Sequence, residues 1–162
     1  MARLFVAVWP PPDVVEQLAA LPRYPLAGAR WTTERQWHVT LRFLGPAELR
    51  TAVAALDGLD APRCTAVLGP GPQRLGPSVL MVPVAGLDDL AVAVDRAMAR
   101  IGRPPPHPYR GHLTLARARN GALPRLDASI VAEWVVDRVA LVESQLHPAG
   151  ARYETLHERV LT

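Results

Sequence analysis

The chain has 162 residues, 49% of them apolar, with a single cysteine (Cys64) and a formal net charge of +3. That length and composition suffice for one compact core, while one cysteine excludes an internal disulfide and a thiol-built zinc site. All eighteen basic residues are arginine; codon bias explains this by itself, yet guanidinium forks also match phosphate oxygens. Leu4–Val8 reads as a first strand. Its apolar run stops at Pro10, Pro11 and Pro12, too short for a signal peptide or a membrane span, so a cytoplasmic protein with no membrane partner is expected. Asp13 is the expected cap of a helix that carries Val14, Leu18 and Leu21 on one side. After the strand-like HVTLRFLG, a second helix begins beyond Pro46 and turns Leu49, Val53, Leu56 and Leu59 inward. Cys64–Leu68 and Val79–Val84 are strand candidates around the turn-rich GPGPQRLGP. Leu87 to Ile101 has the longest helical pattern, and RPPPHPYRG then leads stiffly to a strand at His112. A short helix near Asp127–Glu133 and two strands, Val135–Gln145 and Arg152–Leu161, complete the order. It suggests two related α/β halves, the first ending near Leu68.

Two strings carry chemistry. HVTLRF begins at His38 and HLTLAR at His112. In a strand, residues i and i+2 share a face. His38, Thr40 and Arg42 then lie together, opposite Val39, Leu41 and Phe43; His112 and Thr114 lie together, opposite Leu113 and Leu115. If the halves are related by a rough two-fold axis, two imidazole–hydroxyl pairs face one cleft. Imidazoles on either side of a phosphorus centre can serve as base and acid in an in-line displacement, and the threonine hydroxyls can donate to its nonbridging oxygens. No metal-ligand pattern accompanies them, so no metal and no cofactor are expected. By the same parity Arg117 falls on the face opposite His112 and reaches a phosphate only where a bulge re-aims it. His107 and His147 read as surface residues, and His157 as the other histidine able to line the cleft. Trp31, Trp37, Tyr109 and Tyr153 read as core or rim aromatics.

With those residues in view, the chain resembles a known family. His38-Val-Thr40-Leu and His112-Leu-Thr114-Leu are similar to the two HxTx motifs of the 2H phosphoesterases, specifically the bacterial and archaeal RNA 2',3'-cyclic phosphodiesterases, historically called 2'-5' RNA ligases. RLFVAVWPP resembles their opening strand, WTTERQWHVTLRFLG their first motif, and SQLHPAGARYETL their closing hairpin. The resemblance implies one α+β domain over residues 1–162, built as two pseudo-symmetric lobes, each an antiparallel sheet with helices, around a central groove. It implies opening of a 2',3'-cyclic phosphate at an RNA end to a 2'-phosphomonoester without metal, and a weak, reversible 2'-5' joining of RNA ends. His38 and His112 carry over as the catalytic pair, Thr40 and Thr114 as phosphate ligands, and Arg117 as a phosphate-binding residue beside Arg42. A first division of labour makes His38 the acid and His112 the base, an order the sequence leaves open. Gly111 stands where relatives often have proline, which predicts a flexible approach to the second motif. The expected partner is RNA with a 2',3'-cyclic phosphate end, met by a monomer. Two rivals stay open: a cyclic phosphodiesterase for small nucleotides, and a non-catalytic RNA-binding module.

Overall fold

A computed structural model describes residues 1–119 and 123–162. Its strands are β1 (Ala2–Val8), β2 (Ala29–Trp31), β3 (Val39–Ala47), β4 (Cys64–Leu68), β5 (Gln73–Leu75), β6 (Val79–Ala85), β7 (His112–Ala118), β8 (Ala132–Val136), β9 (Arg138–Gln145) and β10 (Arg152–Val160). The helices are α1 (Pro12–Ala19), α2 (Leu49–Asp57) and α3 (Asp88–Ala97), with a 3-10 turn at Glu34–Gln36. The fold is α+β. Its antiparallel strands run β10-β9-β1-β3-β7-β6-β4-β8, with β2 added to β7 and β5 to β6. The path narrows at its middle, where β3 and β7 pair only through Val39 and Leu113.

That narrowing divides the strands into two sections, and the division does not fall at Leu68. The closing hairpin β9–β10 pairs back onto β1, while β4 joins β6 and β8 on the other side. Helix α1 starts at Pro12, whose fixed φ suits the first helical position. Pro11 occupies the cap, so Asp13 stands inside the first turn, where its charge meets the helix dipole. Val14, Leu18 and Leu21 are buried. In α2, Leu56 and the following Leu59 are buried, but Leu49 is exposed because it begins the helix at the rim.

Three other expectations change. The helical pattern of Leu87–Ile101 ends at Ala97, although Leu87, Leu90, Val94 and Ile101 all reach the core. No helix forms near Asp127–Glu133. That segment lies against the Gly69–Gly71 turn, with Ile130 N–H donating to Pro70 O (2.9 Å), and runs into β8. The long strand expected from Val135 is two strands, β8 and β9, parted at Asp137. The short strands β2 and β5 were not anticipated. One face of the sheet, through Leu4, Val6, Val8, Val39, Leu41 and Leu113, joins the main core with the helices. The other face of β1 and β9 presents Phe5, Ala7, Ala140 and Val142 beneath Trp9 and Tyr153, and forms the floor of a groove.

Candidate active site

Val39 and Leu113 are fully buried, so their flanking side chains point the other way. In an antiparallel pair this places His38 and Thr40 on the same face as Thr114 and His112. Carried one residue either side of the bridge, the register sets His38 beside Thr114 and Thr40 beside His112. The two motifs cross like the arms of a two-fold axis through the Val39–Leu113 pair.

Both imidazoles are held in the same manner. His38 Nδ1 lies 2.6 Å from Gln36 O, and His112 Nδ1 lies 2.7 Å from Arg110 O. A carbonyl can only accept, so each Nδ1 carries the proton and each Nε2 is left for the groove. His38 Nε2 is 3.0 Å from Thr40 Oγ1, which donates to it when the ring is neutral. Gln36 is itself fixed: its side chain accepts from Thr33 N–H (3.0 Å) and donates to Ala151 O (2.8 Å), tying the first motif to the closing hairpin. Trp37 is buried, and its indole donates to Thr32 Oγ1 (2.9 Å), which also donates to the Thr114 carbonyl (2.8 Å). Tyr109, on the segment before β7, donates to Thr40 O (3.1 Å), and burial raises its own pKa. Sequence reading took it for core or rim packing, with stacking on a base as the alternative, and did not anticipate this hydrogen bond.

The surroundings of the two histidines differ. His38 sits among Phe5 (4.9 Å between ring centroids), Tyr153 (5.1 Å) and Trp9 (5.6 Å), and Trp9 is pinned by a hydrogen bond to Thr155 Oγ1 (2.9 Å). Loss of water in this cage lowers its pKa to about 4; the Gln36 carbonyl opposes the shift, and the charges of Arg117 and His112 add to it. His112 is only partly buried, and among the described residues no aromatic ring packs against it as these do against His38.

Two β-bulges decide which neighbours reach the groove. In β3, Thr40 pairs with Ala7 but Arg42 with Val6, leaving Leu41 as an extra residue. In β7, Thr114 pairs with Met81 but Ala116 with Leu80, leaving Leu115 extra. Each bulge shifts the alternation by one. Arg42 is therefore turned away from the groove, correcting its expected place among the phosphate ligands. It is 3% exposed, meets Asp95 Oδ1 at 2.8 Å, and donates to Asp95 O and Ile101 O (2.9 Å each). It holds the carbonyls at the end of α3. The same bulge brings Phe43, 66% exposed, onto the groove face. In β7 the bulge does the reverse and re-aims Arg117 into the groove. Phe43 and Arg117 occupy equivalent positions, each five residues after its histidine.

The cavity so formed, about 250 Å³, is lined by His38 and Arg117 together with Arg3, Phe5, Phe43, Ser144 and Tyr153, and among the described residues no carboxylate lines it. Arg3 and Phe43 are lining residues that sequence reading missed. The usable signal for Phe43 was its place five residues after His38, matching Arg117 after His112; nothing in the sequence singled out Arg3. His157 is elsewhere, with Nε2 2.7 Å from Asp57 Oδ1 at the end of α2. A second cavity of about 270 Å³ lies beyond Trp9, but Arg138, its one arginine, is engaged by Asp137 (3.1 Å) and Glu158 (3.7 Å). It is unsuited to an anion. Gly111 is not a loose joint: its carbonyl accepts from Val84 N–H (2.9 Å), and a Cβ there would collide with Val84 O. Among the described residues, no three His, Cys, Asp or Glu side chains gather as a metal-ligand set, and no helix is long and apolar enough to cross a membrane.

No family model matches the chain. The RNA 2',3'-cyclic phosphodiesterase of Thermus thermophilus is 31% identical to it, over 96% of this chain and 88% of that protein. The crystal structure of the protein TT0787 of Thermus thermophilus has a TM-score of 0.76 at 28% identity, covering 98% of this chain and 97% of that one. Escherichia coli LigT, solved with NADP+, has the same fold, with a TM-score of 0.79 at 23% identity over 99% of this chain and 98% of its own. By sequence over nearly its whole length, and by a fold shared with these structures, the chain belongs to the RNA 2',3'-cyclic phosphodiesterase family of 2H phosphoesterases.

Proposed function

We propose that the protein hydrolyses 2',3'-cyclic phosphate ends of RNA to 2'-phosphomonoesters, without a metal ion, using His38 and His112 as its acid–base pair. The observation that carries this reading is the crossed register. Two imidazoles, each held through Nδ1 and each beside a threonine hydroxyl, stand on one face of adjacent strands, and the groove that His38 lines holds arginines and, among the described residues, no carboxylate. Family membership and the name of the Thermus relative support the substrate class.

The asymmetry of burial supports a division of labour opposite to the first expectation. His38, neutral in its aromatic cage, is the base: its Nε2 takes a proton from water as the water oxygen attacks phosphorus. The bond from phosphorus to the 3'-oxygen breaks, and protonated His112 delivers its Nε2 proton to that oxygen. A 3'-hydroxyl and a 2'-phosphate result, and exchange with solvent resets both rings. Thr114 and Arg117 take the nonbridging oxygens, where charge grows, and the Thr40 hydroxyl turns from His38 Nε2 to the phosphate when the attacking water takes its place on the ring. A 5'-hydroxyl in place of water gives the 2'-5' linkage by the same proton transfers, and its reversal exchanges the roles.

The test is hydrolysis of a short RNA ending in a 2',3'-cyclic phosphate, in excess EDTA, with the product end identified. Turnover to a 2'-phosphate that collapses in both His38→Ala and His112→Ala supports the proposal. RNA binding without turnover favours the binding-module reading, and turnover of nucleoside 2',3'-cyclic phosphates alone favours a small-nucleotide enzyme.

A further inference from the structure

Arg30 and Arg117 are direct cross-strand partners in the β2–β7 pair. Side chains directly opposite in an antiparallel pair share a face with Cβ atoms about 4.5–5.5 Å apart, and like charges so placed repel. Since Arg117 lines the groove, Arg30 stands at its margin on the same side. Its guanidinium lies over the closing hairpin: a Cβ built on Gly150 would sit 3.1 Å from Arg30 Nη1 and 3.3 Å from Gln36 Nε2. Gln36 is the residue whose carbonyl orients His38. Among the described residues neither Arg30 nor Arg117 forms an ion pair, although other surface arginines find a carboxylate. Two arginines that share a face at the margin of an anion groove, neither of them in an ion pair among the described residues, can hold two anions side by side.

We propose that Arg30 binds the phosphodiester on the 5' side of the terminal nucleotide, while Arg117 serves the terminal phosphate. Arg30 is then the residue that makes the enzyme prefer an RNA chain over a free nucleoside 2',3'-cyclic phosphate. This rests on the hydrolase reading above and adds a specificity-determining residue to it. One terminal nucleotide carries one phosphate; only a chain supplies the second, and a guanidinium takes it as a fork.

The test compares wild type, Arg30→Ala and Arg30→Gln on a nucleoside 2',3'-cyclic phosphate and on an oligoribonucleotide with the same end. The expected result is a fall of about tenfold in the oligonucleotide-to-mononucleotide ratio of kcat/KM, carried by KM, as for loss of one charge-assisted contact. Melting temperatures should hold or rise, because a like-charge pair has been relieved. An unchanged ratio overturns the proposal, whether both rates fall together or neither does. Should the wild type turn over neither substrate, the hydrolase reading fails, but Arg30 is still tested by anisotropy with a labelled oligonucleotide bearing a terminal 2'-phosphate. Its log–log salt slope should then shrink by about 0.7 in the variants; an identical slope overturns the phosphodiester site.

Discussion

Val39 and Leu113 face each other across the single bridge between β3 and β7, both fully buried, and each is preceded by a histidine. This apolar pair sets the spacing of the two imidazoles. Leu113→Ala is expected to cost about 2–5 kcal/mol through lost burial and the cavity left behind. Its kcat should fall by a larger factor than KM rises, because the two imidazoles proposed as the acid–base pair lose their relative placement. Urea unfolding and steady-state kinetics on the folded fraction check this; an unaltered kcat would separate the bridge from catalysis.

The cage around His38 makes a pH prediction with a definite sign. Its folded pKa, about 4, lies below the ordinary 6.5, so the unfolded chain binds more protons between those values. Stability is full above pH 6.5 and declines as the pH falls toward 4, by up to about 3 kcal/mol for this group. His38→Gln should flatten that decline. In kcat/KM, which reports the free enzyme, the acidic limb should lie near pH 4–5 and move upward in Phe5→Ala, where water re-enters the cage. A limb that stays put in Phe5→Ala would assign it to another group.

Arg42 and Arg117 should behave as opposites despite their similar places after the two motifs. Arg42→Met removes the buried partner of Asp95 and of the Asp95 and Ile101 carbonyls and should cost about 2–4 kcal/mol, with KM little changed. Arg117→Ala should leave the melting temperature nearly constant and raise KM about tenfold or more. Thermal melts beside Michaelis curves for both variants decide it, and a KM effect in Arg42→Met would return that residue to the groove.

Gly111 offers a test by addition of a single methyl group. The carbonyl of Val84 occupies the space a Cβ would need, so Gly111→Ala must push β7 away from β6 at the residue before His112. Activity should drop at least about tenfold if His112 acts as the proposed acid, since small displacements of such a group are costly, with a loss of about 1–3 kcal/mol for the strain. Hydrogen exchange at the Val84 amide, which donates to Gly111 O, should accelerate in the same variant.

The HxT faces were legible because period-two alternation is undisturbed over residues 38–40 and 112–114. It fails one residue later. Nothing in Thr40-Leu41-Arg42 or Thr114-Leu115-Ala116 announces an extra residue, since a bulge is defined by the partner strand, and that pairing is non-local. Arg42 was misplaced for this reason, and its true partner, Asp95, is 53 positions away. Phe43 looked like core by the parity that mis-set Arg42. The spacing of Leu123, Leu126 and Ile130 mimics a helical stripe, yet these residues are buried from an irregular segment. Strands β2 and β5, three residues each, are too short to show a period. The boundary near Leu68 followed chain order, whereas the sheet exchanges β4 and the closing hairpin between its two sections.

The paired bulges also give the groove a polarity. A scaffold with true two-fold symmetry would accept a ligand in either of two orientations with equal ease. Here the same displacement after each histidine delivers a ring on one arm, Phe43, and a guanidinium on the other, Arg117. One arm offers an apolar, polarisable plane and the other a charge, so the two orientations of a nucleotide differ in energy before any catalytic contact is made. An identical backbone device on both strands thus acts as the means by which a symmetric frame tells the two ends of its ligand apart.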